Sequence, residues 1–245
     1  MDWEWIGKDR RQSGADTQIN HDTLEDLVRV RRATRARVLC RINGSGPQTE
    51  REVAEAIGAG ADEILLPMVR MPSEVEAVLE AVRGSCGVGI LIETVDALEH
   101  LRELAALPLS RVYVGLNDLA IESRSPDLFG ALVDGTLERI RSRFRVPFGC
   151  AALTVPERGT PVPCRLLIGE MARLGCAFSF LRRSFHRDVG DRDMTFAVAR
   201  LRGALVEASQ RPPEAIARDR AELERAVRAH PIRIFEIDER VAPSA

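Results

Sequence analysis

The sequence predicts an α/β fold organised on a parallel sheet, of the kind that closes into a (β/α)8 barrel. Three observations predict it. Short β-branched runs alternate with helical stretches from residue 37 onward. The runs are apolar almost throughout, as strands buried on both faces should be. Two of them end in a carboxylate, Glu93 and Asp118, at the strand end where parallel sheets keep their chemistry.

Each element has its own signal. Residues 2–6 (Asp2-Trp3-Glu4-Trp5-Ile6) read as a first strand, and the polar stretch 8–21 as a loop. Asp22 and Glu25 have the spacing of a capping box, which predicts a helix from there. The run 38–43 is a strand. The stretch 49–58 is a helix with Val53, Ala56 and Ile57 on one face, and Gly60 stops it. The run 63–68 is the next strand. Pro72 opens a helix at a first-turn position, with Val75, Val78, Leu79 and Val82 along its face. The carboxylate strands 88–94 and 112–119 follow, separated by a helical stretch at 97–106. A longer helix is expected over 128–144, a strand over 147–151, a helix over 163–174 and a last strand over 177–181. Helices over 193–209 and 213–229 and an irregular tail after Pro231 complete the chain. No Pro/Gly/Ser-rich linker divides it. Residues 1–209 are therefore expected to form one domain, with 210–245 a helix and tail that is a candidate oligomer contact.

Composition narrows the function classes. A length of 245 residues suits a single barrel, and a hydrophobic share of 45% supports a sizeable core. A formal charge of −2 gives no case for nucleic acid or an anionic membrane. No apolar run approaches the ~20 residues that span a bilayer, and residues 1–4 lack a signal pattern. Cys40, Cys86, Cys150, Cys164 and Cys176 are scattered without metal-finger spacing, which suits reduced thiols in a cytoplasm. Lys8 is the chain's lone lysine. Its polar surroundings read as a solvated loop. A Schiff base on a strand lysine is thus disfavoured, and a metal is the better electron sink for any carbanion.

Glu93 and Asp118 offer two hard oxygen ligands that suit Mg²⁺ or Mn²⁺, with water and substrate completing the shell. The structural alternatives are an arginine pair for Glu93 and a helix cap for Asp118. Arg41 sits between apolar residues and needs an anion, either Glu4 or Glu93, or a substrate carboxylate that its fork would fit. Asp2 and Glu4 are candidates to steady Arg41 or the waters of a metal. His21 and His186 are acid/base candidates that composition reads as surface residues. Cys150 reads as core rather than nucleophile. Arg182-Arg183-Ser184 follows a late strand and reads either as a site for phosphate or an acidic substrate tail, or as a solvated pair.

Four segments together resemble the HpcH/HpaI aldolase/citrate lyase family of the phosphoenolpyruvate/pyruvate superfamily, in a less characterised branch. They are Leu39-Cys40-Arg41-Ile42-Asn43, the run 59–69 (Gly-Ala-Asp…Leu-Pro-Met), Leu91-Ile92-Glu93-Thr94 and Gly115-Leu116-Asn117-Asp118-Leu119. The resemblance runs from about residue 2 to about residue 185. It implies a TIM barrel, here lacking the first strand-helix unit, and a homo-oligomer whose C-terminal helices dock on neighbouring subunits. It implies a metal-dependent, class II pyruvate-type aldolase acting on a 2-oxo or hydroxy acid. By position it makes Glu93 and Asp118 the metal ligands and Arg41 the contact to pyruvate oxygens. Backbone N–H groups at Leu116, Asn117 and Asp118 would hold the carboxylate. Trp5 stands where aldolases of the family carry a proton-moving histidine, and its expected role is packing in the core or at the mouth. Two other readings stand beside this one. One is a catalytically degenerate barrel serving as a binding or assembly subunit. The other is action on acyl-CoA esters, for which no adenine- or pantetheine-binding signature is readable.

Overall fold

A computed structural model describes residues 1–8, 21–125 and 127–229. Five parallel strands form one sheet in sequential order: β1 (Leu39–Arg41), β2 (Glu63–Leu66), β3 (Gly87–Ile92), β4 (Arg111–Val114) and β5 (Phe148–Cys150). Two further segments lie parallel to its edges. Asp2 bridges to Arg41 on one side, and Gly149 to Phe178 and Leu153 to Leu181 on the other. Five of the seven expected strands are thus regular, and the segments at 2–6 and 177–181 pair only through isolated bridges. Among the described residues the hydrogen-bonded sheet ends there and is not closed into a ring.

The two faces of the sheet pack differently. Cys40, Ile42, Ile64, Leu66, Ile90, Ile92, Val112, Val114 and Phe148 point outward into one large core shared with the helices. Alternate residues, Leu65, Leu91 and Tyr113, form a separate inner cluster with Leu39 and with Phe178 and Phe180 of the segment bridged to β5. An open sheet would carry helices on both faces. A sheet with helices outside and its own side chains inside is curled in the manner of a barrel. The inner rings are tightly set, with Tyr113 and Phe180 centroids 4.5 Å apart. Small residues make room. A side chain on Gly149 would overlap Tyr113 and the backbone of Phe178.

The outer helices follow the expected amphipathic spacing. They are α1 (Leu24–Ala33), α2 (Thr49–Gly58), α3 (Pro72–Val82), α4 (Val95–Glu99), α5 (Leu101–Leu104), α6 (Leu116–Glu122), α7 (Thr136–Arg141), α8 (Cys164–Arg173), α9 (Phe185–Val189), α10 (Met194–Ser209) and α11 (Pro213–Ala229). α11 lies on α8 and buries Leu223 and Val227. Its Arg220 reaches the buried Glu170 of α8 at 2.6 Å.

Four expectations are corrected. The α1 capping box uses Thr23 and Asp26, because Asp22 instead accepts the backbone N–H of Asp2 at 2.8 Å. The helix expected over 97–106 is split into α4 and α5 at His100. The long helix expected over 128–144 is a 3-10 turn (Gly130–Leu132) and then α7, divided at Gly135, whose φ of 90° no helix accepts. The strand expected over 112–119 ends at Val114, and the chain turns at Gly115 into α6, so that Leu116, Asn117 and Asp118 are helical. Most of the expected 8–21 loop, and the tail after Pro231, lie outside the described residues.

Candidate active site

The inner face stacks in layers from the amino to the carboxyl ends of the strands. Glu63 and Arg111 lie low. Leu65, Leu91, Tyr113 and Phe180 fill the middle. Because side chains alternate, the residues two positions further along face inward again at the mouth. These are Arg41 after Leu39, Glu93 after Leu91, Gly115 after Tyr113, and Arg182 after Phe180.

Glu93 is 2% exposed. One carboxylate oxygen accepts the Met68 backbone N–H at 2.8 Å. Met68 holds φ at 54°, a left-handed conformation rare for a residue with a side chain, and that turn aims its N–H at Glu93. The other oxygen lies over the Cα of Gly115, where any Cβ would overlap it. Burial pushes the Glu93 carboxyl up to about 8, with Asp118 and Glu4 adding repulsion that Arg41 and the Met68 N–H only partly offset. Asp118 is buried in the first turn of α6. The helix cap beside it is Gly115, so Asp118 is not spent as the cap. Leu116 and Asn117 open the same turn.

Arg41 is held from below and beside. Its Nε and one terminal nitrogen form a fork on Asp2 at 2.8 and 2.6 Å, and the other terminal nitrogen meets Glu4 at 3.0 Å. Burial works against its charge, but Asp2, Glu4 and Glu93 hold the guanidinium above its ordinary range. Lys8 corrects the expectation of a solvated loop residue. It is 5% exposed, and its Nζ sits 2.9 Å from the same Glu4 oxygen and 4.0 Å from Asp2. The physical reason is a buried polar clamp. Asn43 Oδ1 accepts the N–H groups of Trp5 and Ile6 at 2.9 and 2.8 Å, and Glu52 binds the Asn43 amide group and its N–H. A turn from Trp5 O to Lys8 N then drops the lysine onto Glu4. Trp5 is corrected too. Its backbone is fixed by Asn43, and its ring stands 56% exposed rather than packed.

The remaining candidates lie elsewhere. His21 and His186 are exposed. Cys150 is buried on the outer face, its sulfur 3.7 Å from that of Cys176. Glu93, Arg41, Asp2 and Glu4 are thus brought together, with Asp118 acting on Glu93. Lys8, Met68, Gly115, Asn43 and Glu52 were missed as site residues. Asn43, Met68 and Gly115 lie in segments that carry the family resemblance, whereas Lys8 and Glu52 had no such signal.

Among the described residues no group of three or more His, Cys, Asp or Glu side chains is arranged to hold a metal ion. Two carboxylates are nonetheless a sufficient protein contribution to a Mg²⁺ site that keeps waters and takes substrate oxygens. A buried pair whose negative charges repel also fits a cation chemically.

No protein-family model matches the sequence, and no curated protein matches it. Solved structures do. RipC from Yersinia pestis is 13% identical, with a TM-score of 0.56 over 79% of this chain and 83% of that one. A citrate lyase from Burkholderia xenovorans LB400 is 18% identical, with a TM-score of 0.54 over 84% and 70%. A 3-hexulose-6-phosphate synthase is 21% identical, with a TM-score of 0.53 over 74% and 80%. The citrate synthase SbnG is 17% identical, with a TM-score of 0.52 over 79% and 82%. The chain shares with these proteins an α/β fold built on a parallel sheet. No helix among the described residues is long and apolar enough to cross a membrane.

Proposed function

We propose that the chain is a metal-dependent carbon-carbon lyase of the HpcH/HpaI type, acting on a 2-oxo or hydroxy acid through an enolate. The observation that carries this reading is the state of Glu93. It is buried at the mouth, has no guanidinium within 4.0 Å among the described residues, and is pushed toward neutrality by burial and by Asp118. A purely structural carboxylate would be paired. The likeness in fold to a citrate lyase and two synthases supports an enzyme of that broad kind.

Glu93 and Asp118 are the residues that would hold Mg²⁺ or Mn²⁺. When bound, the ion supplies positive charge against the oxygen on which enolate charge develops. Arg41 keeps one N–H on each terminal nitrogen beyond its contacts to Asp2 and Glu4, enough to meet a keto-acid oxygen. Asp2 and Glu4 fix its plane, and Lys8 balances the charge of Glu4, so the arginine stays aimed. The carry-over of carboxylate binding to Leu116, Asn117 and Asp118 is consistent with their place in the first turn of α6.

The test is deuterium exchange into the methyl protons of pyruvate with added Mg²⁺ or Mn²⁺. Exchange that needs the ion and is lost in Glu93→Gln is expected. Wild-type metal affinity and turnover in that variant would overturn the assignment. A well-folded protein without exchange would favour the second reading, a binding or assembly subunit, which draws on Trp5 in place of the family's histidine.

A further inference from the structure

The loop after β2 is tied to the loop after β3 residue by residue. The Met68 N–H donates to the Glu93 carboxylate at 2.8 Å. The Val69 carbonyl accepts the hydroxyl of the buried Thr94 at 2.6 Å. The oxygen of that hydroxyl also accepts the Ala97 N–H at 3.0 Å and so caps α4. The Arg70 guanidinium then meets Asp96 of α4 at 2.7 Å. Three successive residues thus hold Glu93 and the turn behind it.

Arg70 carries the tie further. Its other terminal nitrogen lies 2.9 Å from each oxygen of Glu122, the last residue of α6. Asp118 stands four residues earlier in the same helix, a spacing that puts both on one face. α6 is seven residues long, so a hold on Glu122 is a hold on the turn that bears Asp118. Arg70 therefore joins the segment that carries Glu93 to the helix that carries Asp118.

The exposure of these pairs says what the join is for. The Arg70 side chain is 41% exposed and that of Asp96 47%. Ion pairs this wet add little to stability. Placement is another matter, because a misplacement of about 1 Å near reacting groups costs on the order of a hundredfold in rate. A planar fork with a partner on each terminal nitrogen fixes direction as well as distance.

We propose that Arg70 is a positioning residue, a yoke that sets the spacing of Glu93 and Asp118 for one divalent cation. The cation rests on the lyase reading; the yoke rests on the contacts of Arg70. Arg70 acts through Asp96 and Glu122 and takes no part in the chemistry.

Two measurements on the full chain test this: Mn²⁺ binding by calorimetry, and amide hydrogen exchange of the metal-free protein. Arg70→Met should bind Mn²⁺ about tenfold more weakly or worse. Its α6 amides should exchange at least about tenfold faster while β3 stays protected. Its Tm should fall by no more than about 4 °C. Glu122→Gln should reproduce both changes, and the double variant should add little to either. Arg70→Lys should recover part of the Mn²⁺ affinity, because an ammonium lacks the two-sided fork. Arg165→Met, which breaks the exposed pair with Glu222 between α8 and α11, should leave both measurements unchanged. Parental Mn²⁺ affinity in Arg70→Met, unchanged exchange in α6, or an equal loss of protection throughout the sheet overturns the proposal. A parent that binds no Mn²⁺, in which Arg70→Met still frees α6, sinks the lyase reading and leaves the yoke standing.

Discussion

Glu63 and Glu93 make an instructive pair. Both face the interior of the curled sheet, on neighbouring strands, and both are 2% exposed. Glu63, at the amino end of β2, receives the fork of Arg111, with Nε at 2.6 Å, and the hydroxyl of Ser110. The Arg111 guanidinium in turn lies 4.6 Å from the Phe178 ring centroid. Glu93, just past the carboxyl end of β3, receives one backbone N–H and faces other acids. Equal burial of the same residue gives a closed, neutral floor at one end and an electron-rich mouth at the other. The difference lies in compensation, which is why one carboxylate reads as structure and the other as chemistry.

The strongest way to break this contrast is at the floor. Arg111→Met strands the Glu63 charge in the interior and should cost about 3–5 kcal/mol in urea unfolding. An equal cost from Arg70→Met, whose partners Asp96 and Glu122 are more exposed, would deny the floor its special status. Next is Gly115→Ala. Its Cβ displaces the Glu93 carboxylate. Metal-dependent pyruvate exchange should fall on the order of a hundredfold, with the near-UV circular dichroism retained. Unchanged exchange would mean that Glu93 need not sit where it does.

The pH dependence sharpens the mouth. Glu93 holds its proton up to about 8 when folded, against 4.5 for the free group. Between those values the folded state binds the extra proton, so this contribution is full below pH 4.5 and is lost as pH rises through 8. Without divalent ions, Glu93→Gln should reduce the fall in stability from pH 5 to pH 8 by on the order of 1 kcal/mol or more. Mg²⁺ should recover stability at pH 8 in the parent and less in the variant. Parallel parent and variant pH profiles would count against the charged pair. The smallest effect belongs to Asn43→Ala. Freed from its clamp, the turn at Trp5 should release Lys8, raising the KM for pyruvate exchange severalfold more than it lowers kcat. A kcat loss alone would assign Lys8 a different role.

Much of this was readable in the sequence, for a definite reason. Strand and helix periods are local, so β1 to β5, α2, α3, α8, α10 and α11 emerge close to where hydrophobic spacing puts them. Strand ends are local too. That is how Arg41 and Glu93 could be nominated as neighbours at one mouth, whereas Asp118, expected at the end of a strand, lies past β4 in the first turn of α6. Where the reading failed, a longer-range partner had decided. Asp22 lost its capping role to Asp2, twenty residues away. Lys8 looked solvated in its polar stretch, yet Asn43 and Glu52 pull that turn inward. Arg182 and Arg183 look alike in the sequence, and only the inner register after Phe180 tells them apart.

The chain's own pattern of residues therefore determined the element order, the parallel sheet and the end of it at which acids gather, because each follows from periodicity and strand direction. Tertiary structure alone decided which charges are cancelled. Cancellation depends on distances of about 3 Å between side chains far apart in the chain, and no local pattern encodes them. That is why Glu63 is quiet and Glu93 is pushed toward neutrality.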